Sequence, residues 1–89
     1  ALSVDEFTLD NLSIFPNPNN GEFTVKFSNA TGKVSLEVFD IRGRKVVGNN
    51  YDIIGDFNQN VSLANIQSGM YLLNINDGSR IITKKIIVE

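Results

Sequence analysis

Apolar and polar positions alternate in short runs along most of the chain. Phe23, Val25 and Phe27 alternate with Glu22, Thr24 and Lys26, Val34, Leu36 and Val38 alternate with Ser35 and Glu37, and Tyr71, Leu73 and Ile75 repeat the pattern. A period of two gives a strand one face that seeks a core and one that seeks water. Clusters of Gly, Asn, Asp and Pro divide these runs every eight to twelve residues or so, the spacing of turns in an all-β sandwich or barrel. No stretch keeps a helical period. The spacing predicts strands over 12–15, 22–27, 33–39, 44–47, 57–63, 70–76 and 80–88. Together they predict an all-β fold, a seven-stranded antiparallel Ig-like (Greek-key) β-sandwich spanning residues 11–89. Residues 1–10, ALSVDEFTLD, lack a sustained period and read as a connector.

The turns carry more information than the strands. In FPNPNNG, Pro16 and Pro18 favour extended backbone at Phe15 and Asn17 and remove two donors, so a strand ends or kinks there. Asn19, Asn20 and Gly21 then supply a reversal. In DIRGR, Asp40 is placed to accept hydrogen bonds from backbone amides two or three residues on, while Gly43 takes a positive φ, as in a tight hairpin closed by a bulge. Asp77-Gly78 predicts a two-residue type I′ turn joining 70–76 to 80–88 antiparallel, with Leu73 opposite Ile82 and Tyr71 opposite Lys84. Ahead of it, LANIQSGMY returns to a strand led by Tyr71, reminiscent of the tyrosine corner of Greek-key sandwiches.

Composition narrows the chemistry. Eighty-nine residues make one small domain with little margin of stability. Neither cysteine nor histidine occurs, which removes disulfides, thiolate nucleophiles, imidazole bases and the usual zinc ligands. Eight basic against ten acidic residues leave a net charge of −2, unlike the footprint nucleic acid demands. The apolar runs are far shorter than the roughly 20 residues that cross a bilayer as a helix. The first residue is not methionine and no leader pattern follows it, so the chain reads as part of a longer protein, without a signal peptide of its own.

Candidate sites are few. The acidic residues fall mostly in the connector, in turns or at outward strand positions, with no general base beside a nucleophile, so no catalytic residue and no cofactor is predicted. Asp52 and Asp56 bracket Ile53, Ile54 and Gly55, but the spacing fits no EF-hand-like loop, and no metal is predicted. Arg42, Arg44 and Lys45 form a basic cluster that reads as a solvated hairpin end or an anion contact. Three Asn-x-Ser/Thr triplets, at Asn11, Asn29 and Asn60, carry little weight in a chain with twelve asparagines. An Ig-like or carbohydrate-binding accessory module is the competing reading. Such modules commonly present flat exposed rings, and here, with no tryptophan, only Tyr51 and Phe57 look available.

Taken in order, PNPNNGEFTV, DIRGRKV, LANIQSGMYLLNI and the closing KKIIV form a series. None is specific alone. As a series running from about residue 13 to residue 89, they resemble the type A C-terminal sorting domain of the type IX secretion system of Bacteroidetes. The resemblance implies a non-catalytic signal that directs an upstream cargo, joined through the connector, across the outer membrane. It further implies passage through the periplasm and removal by a sortase-like peptidase, with cleavage in or just before residues 1–10, leaving the cargo secreted or at the cell surface. Pro16, Asn17, Pro18, Gly21, Asp40, Gly43, Arg44, Gly69 and Tyr71 match family positions interpreted as fold-forming, and Asp77 and Gly78 join them as the hairpin turn. Lys84, Lys85, Ile86, Ile87 and Val88 match the terminal segment needed for export, and the carboxylate of Glu89 is a further candidate for recognition by the translocon. Five of the last nine residues are β-branched and apolar, and chain ends fray unless tied down. The expectation is a last strand at a sheet edge, where unpaired backbone groups offer a template and lysines limit indiscriminate pairing, read by the translocon through strand addition or charge.

Overall fold

The computed structural model describes residues 10–64, 66–78 and 81–89. Five strands, β1 (Asp10–Phe15), β2 (Glu22–Asp40), β3 (Lys45–Ser62), β4 (Gly69–Asn76) and β5 (Ile81–Val88), form one antiparallel sheet. β2 is its spine. β3 runs along one side of it for nearly its whole length, while β1 pairs with its first half and β4 with its second half on the other side. β5 lies outside β4. Of the connector, residues 1–9 lie outside the described residues, and Asp10 opens β1.

The seven predicted strands are thus five, because 22–27 with 33–39, and 44–47 with 57–63, are continuous. The reason lies in NATG and IIGD. Their glycines read as chain breakers, but here they make a bend. Between Phe27↔Phe57 and Ala30↔Gly55, β2 advances one residue more than β3, a β-bulge with Asn29 at φ 64° and Gly55 at φ 100°. The extra residue moves the buried set of β2 from odd positions (Phe23, Val25, Phe27) to even ones (Ala30, Val34, Leu36, Val38), while β3 keeps odd positions inward. A straight strand of this length would span roughly 60 Å at about 3.3 Å per residue. The longest dimension of the molecule is 38 Å, so the sheet curls over on itself. Its two halves share one core, so the all-β antiparallel architecture is a curled, sandwich-like sheet, and the described residues form five strands instead of the seven of the predicted Ig-like Greek-key order.

Phe23, Phe27, Phe57, Leu36, Leu73, Ile75 and Ile86 are the largest buried side chains. Phe27 stacks on Phe57 with ring centroids 4.7 Å apart, and Tyr51 meets Phe57 edge-on at 5.2 Å. Phe57 is therefore a core residue and not an exposed ring, which corrects the expectation of an available aromatic surface. Ring stacking of this kind adds to the burial of the rings themselves.

β4 and β5 pair antiparallel as predicted, but the register differs. Leu73 faces Lys84, Tyr71 faces Ile86 and Ile75 faces Ile82, each two residues on from the expected partner. The connection from Asn76 to Ile81 leaves four residues in the turn, and Asp77 does not have the positive φ that a type I′ turn requires. Only Gly78 does, at φ 78°. Asp77 is instead buried and accepts a hydrogen bond from Thr31 Oγ1 at 2.9 Å, tying this loop to the bend of β2. Because the shift is an even number, the inward face of β5 is preserved.

Candidate functional site: the last strand and the loop that holds it

β5 alternates cleanly on one side. Ile82, Ile86 and Val88 are buried, and Ile81, Thr83 and Lys85 are exposed. Lys84 breaks the series. It occupies an inward position between Ile82 and Ile86, opposite fully buried Leu73, yet its side chain is exposed. A lysine does this by laying its methylenes along apolar surface and keeping its ammonium in water. Lys84 and Lys85 consequently flank the strand from opposite faces. Of the predicted recognition residues, Lys84, Lys85 and Glu89 are exposed, Ile87 is half-buried, and Ile86 and Val88 face the core.

The outer edge of β5 is not open along its length. The loop after β1 comes back to it across the sequence. The Asn17 amide acts as a short piece of strand, Nδ2 donating to Lys85 O at 3.1 Å and Oδ1 accepting from Ile87 N at 3.0 Å. Asn19 continues with its backbone, donating to Ile87 O at 2.9 Å and accepting from Glu89 N at 2.8 Å. Its side chain shapes the loop itself, Oδ1 accepting from Gly21 N at 2.9 Å and Nδ2 donating to Pro16 O at 3.1 Å. Asn19 is buried and uses both backbone and side-chain groups in this way. Sequence reasoning placed it only in a reversal. The bond from Gly21 N to the side chain two residues before it is the Asx-turn chemistry that Asn-x-Gly signals, whereas the pairing to residues 87 and 89 has no local signature.

The neighbouring motif positions are built from the same materials. Gly21 has φ 108°, and a Cβ there would lie 3.2 Å from Ile66 Cγ2 and 3.4 Å from Leu63 O. Its own O accepts from Leu63 N at 2.7 Å, joining the loop to the end of β3. Tyr71 donates its hydroxyl hydrogen to Gln67 O at 2.7 Å, four residues upstream, the hydrogen bond that defines a tyrosine corner. Gly69 pairs with Val88 at the other end of the β4–β5 ladder.

At the hairpin between β2 and β3, Asp40 Oδ1 accepts from Arg42 N at 2.9 Å and Arg44 N at 3.0 Å, and Gly43 sits at φ 88°. Asp40 Oδ2 accepts from Arg44 Nε at 2.9 Å, and Lys45 Nζ lies 3.6 Å from Glu37 Oε2. Two of the three cations of the basic cluster are therefore matched by carboxylates. The Arg44 backbone amide, with the Arg44 side chain and the Arg42 amide behind it, holds the Asp40 carboxyl below its usual range. An unfolded chain then takes up a proton at this group before the folded one does. The stability it lends is present above the unfolded value, near 3.9, and is lost as the pH falls through the lower folded value. Asp40→Asn should flatten the fall of the thermal midpoint below pH ~4 relative to the parent chain, as followed by circular dichroism.

Among the described residues no group of carboxylates is placed to hold a metal ion, and no helix is long and apolar enough to cross a membrane. A search of curated proteins finds no match to the chain. Comparison with protein-family models matches residues 13–89 to the secretion system C-terminal sorting domain. The chain belongs to that family. As a sorting domain it is a signal for type IX secretion, acting with the type IX machinery on a cargo in the same chain that is carried across the outer membrane. The family's role points to sorting rather than to catalysis. The sorting domain's matched region takes in both the Pro16–Gly21 motif and the strand that motif holds.

Proposed function

We propose that the secretion machinery reads this sorting domain at β5, through the exposed lysines Lys84 and Lys85 and the outward face they border. On this reading the cargo and its sorting domain pass through the periplasm, and a sortase-like peptidase cuts in or just before residues 1–10 once export is under way. The observation that carries it is the geometry of β5. One edge is tied to β4, the end is clamped by Asn17 and Asn19, and the two lysines project from opposite faces of the strand. Ile86 and Val88 hold the strand from inside, while Met70, Leu72 and Ile81 leave apolar surface on the outside of the β4–β5 pair.

Removing the last five residues would take Ile86 and Val88 out of the core and confuse a lost signal with a lost fold. Charge reversal avoids this. In a reporter fused ahead of this domain in a bacterium with the type IX system, the Lys84→Glu, Lys85→Glu double variant should fold as the parent does. Its export should fall about tenfold or more, the effect of roughly 1.4 kcal/mol lost at docking. Export at the parent level would sink the reading.

A further inference from the structure

The clamp divides the edge of β5 into two parts. Lys85 O, Ile87 N, Ile87 O and Glu89 N all point to the loop side, so the odd-numbered residues of β5 direct their backbone groups away from β4. The β4–β5 ladder has no bulge, and the same alternation holds back to Thr83 and Ile81. Residues 85–89 are covered on that side by Asn17 and Asn19. Among the described residues no strand lies alongside 81–85, and the amide and carbonyl of Thr83 and the amide of Lys85 face away from β4. This stretch is short, flanked by Lys84 on the inner face and Lys85 on the outer, with exposed Ile81 at its start.

We infer that residues 81–85 are a strand-addition site for an extended, carboxylate-bearing segment of the type IX machinery. The inference rests on the reading that β5 is what the machinery recognises and names the backbone that does it. Outward backbone groups supply main-chain hydrogen bonds to an added strand. Ammonium groups on both faces of the edge select an acidic neighbour and disfavour a basic one. The Asn17–Asn19 clamp sets the limit of the site, because a partner strand cannot run past Lys85 without displacing it.

Proline at 83 isolates this backbone role. The Thr83 amide is not used in the pairing with β4, and a proline is tolerated on an edge strand where its missing N–H faces solvent. Thr83→Val controls for loss of the hydrogen bond from Thr83 Oγ1 to Asn74 Oδ1. With the same reporter fusion, Thr83→Pro should cut export about tenfold or more while Thr83→Val exports as the parent does, and circular dichroism should show both folded. If Thr83→Pro does not fold, Ile81→Pro at the first position of the strand gives the same readout. Export of a folded proline variant at the parent level overturns the inference. So does sedimentation of the purified chain as a dimer that Thr83→Pro turns to monomer, since the edge would then belong to a second copy. A proline variant that exports normally beside a Lys84, Lys85 double variant that does not would leave charge recognition standing and remove strand addition alone.

Discussion

Phe27→Ala is expected to destabilise the domain by about 3–5 kcal/mol, the usual cost of emptying a buried phenylalanine site. Phe27 is 1% exposed and stacks on fully buried Phe57, which also meets Tyr51 in a T-shaped contact. It is also the last inward residue of β2 before the bulge, so the cavity would open where the two halves of the sheet turn toward each other. A domain of this size has a total stability near the low end of about 5–15 kcal/mol. At roughly 4–8 °C per kcal/mol for such a chain, the thermal midpoint should fall on the order of 20 °C. Thermal and urea denaturation would measure it. A loss under 1 kcal/mol would mean that the curl does not depend on this stack.

The two halves of the sheet were legible in the sequence and their continuity was not. Period-two alternation located every buried residue of 22–27 and 33–39, and the change from odd to even inward positions between them is visible in the sequence itself. A break with a new strand and a bulge within one strand both produce that change. Gly32 and Gly55 favoured the break, since a glycine between two apolar runs more often marks a turn. What decides for the bulge is the partner strand, which carries Gly55 opposite Ala30 and stays in step on both sides. Local sequence holds no record of that partner. The Asp77-Gly78 turn fails in a similar way. The dipeptide has the right chemistry for a two-residue hairpin, but burial of Asp77 against Thr31 takes precedence over the local turn.

The candidate site was legible as two motifs and illegible as one structure. Local chemistry predicted Asp40 as an acceptor for nearby amides of the DIRGR hairpin and the reversal at Gly21, and both form within a few residues, although the second amide on Asp40 comes from four residues on rather than three. The clamp joins residues 17 and 19 to residues 85, 87 and 89 at separations that no turn rule reaches. Its result is that the end of β5 has a fixed conformation although it lies at a strand end, where fraying is otherwise the default. The Pro-Asn-Pro motif and the terminal KKIIV segment are thus one mechanical unit, and mutations at the first act on the second.

Asn19→Ala should expose that coupling. Asn19 is 6% exposed and its side chain bonds Gly21 N and Pro16 O, so truncation leaves two backbone groups without these partners. Each such group costs about 1–3 kcal/mol, and the sum should fall near 2–4 kcal/mol once water reaches part of the site. The more specific effect is at the far end of the chain. With the loop no longer held in shape, the backbone bonds from Asn19 N to Ile87 O and from Glu89 N to Asn19 O lose their geometry, and amide exchange at residue 19 and at Glu89 should rise before global unfolding. Asn17→Ala makes the contrast. Asn17 is exposed and among the described residues its side chain bonds β5, so its loss should cost about 0.5–1.5 kcal/mol per bond while speeding exchange at Ile87. If Asn19→Ala lowers stability but leaves exchange at residues 19 and 89 tied to global unfolding, the loop supports the fold without clamping the strand.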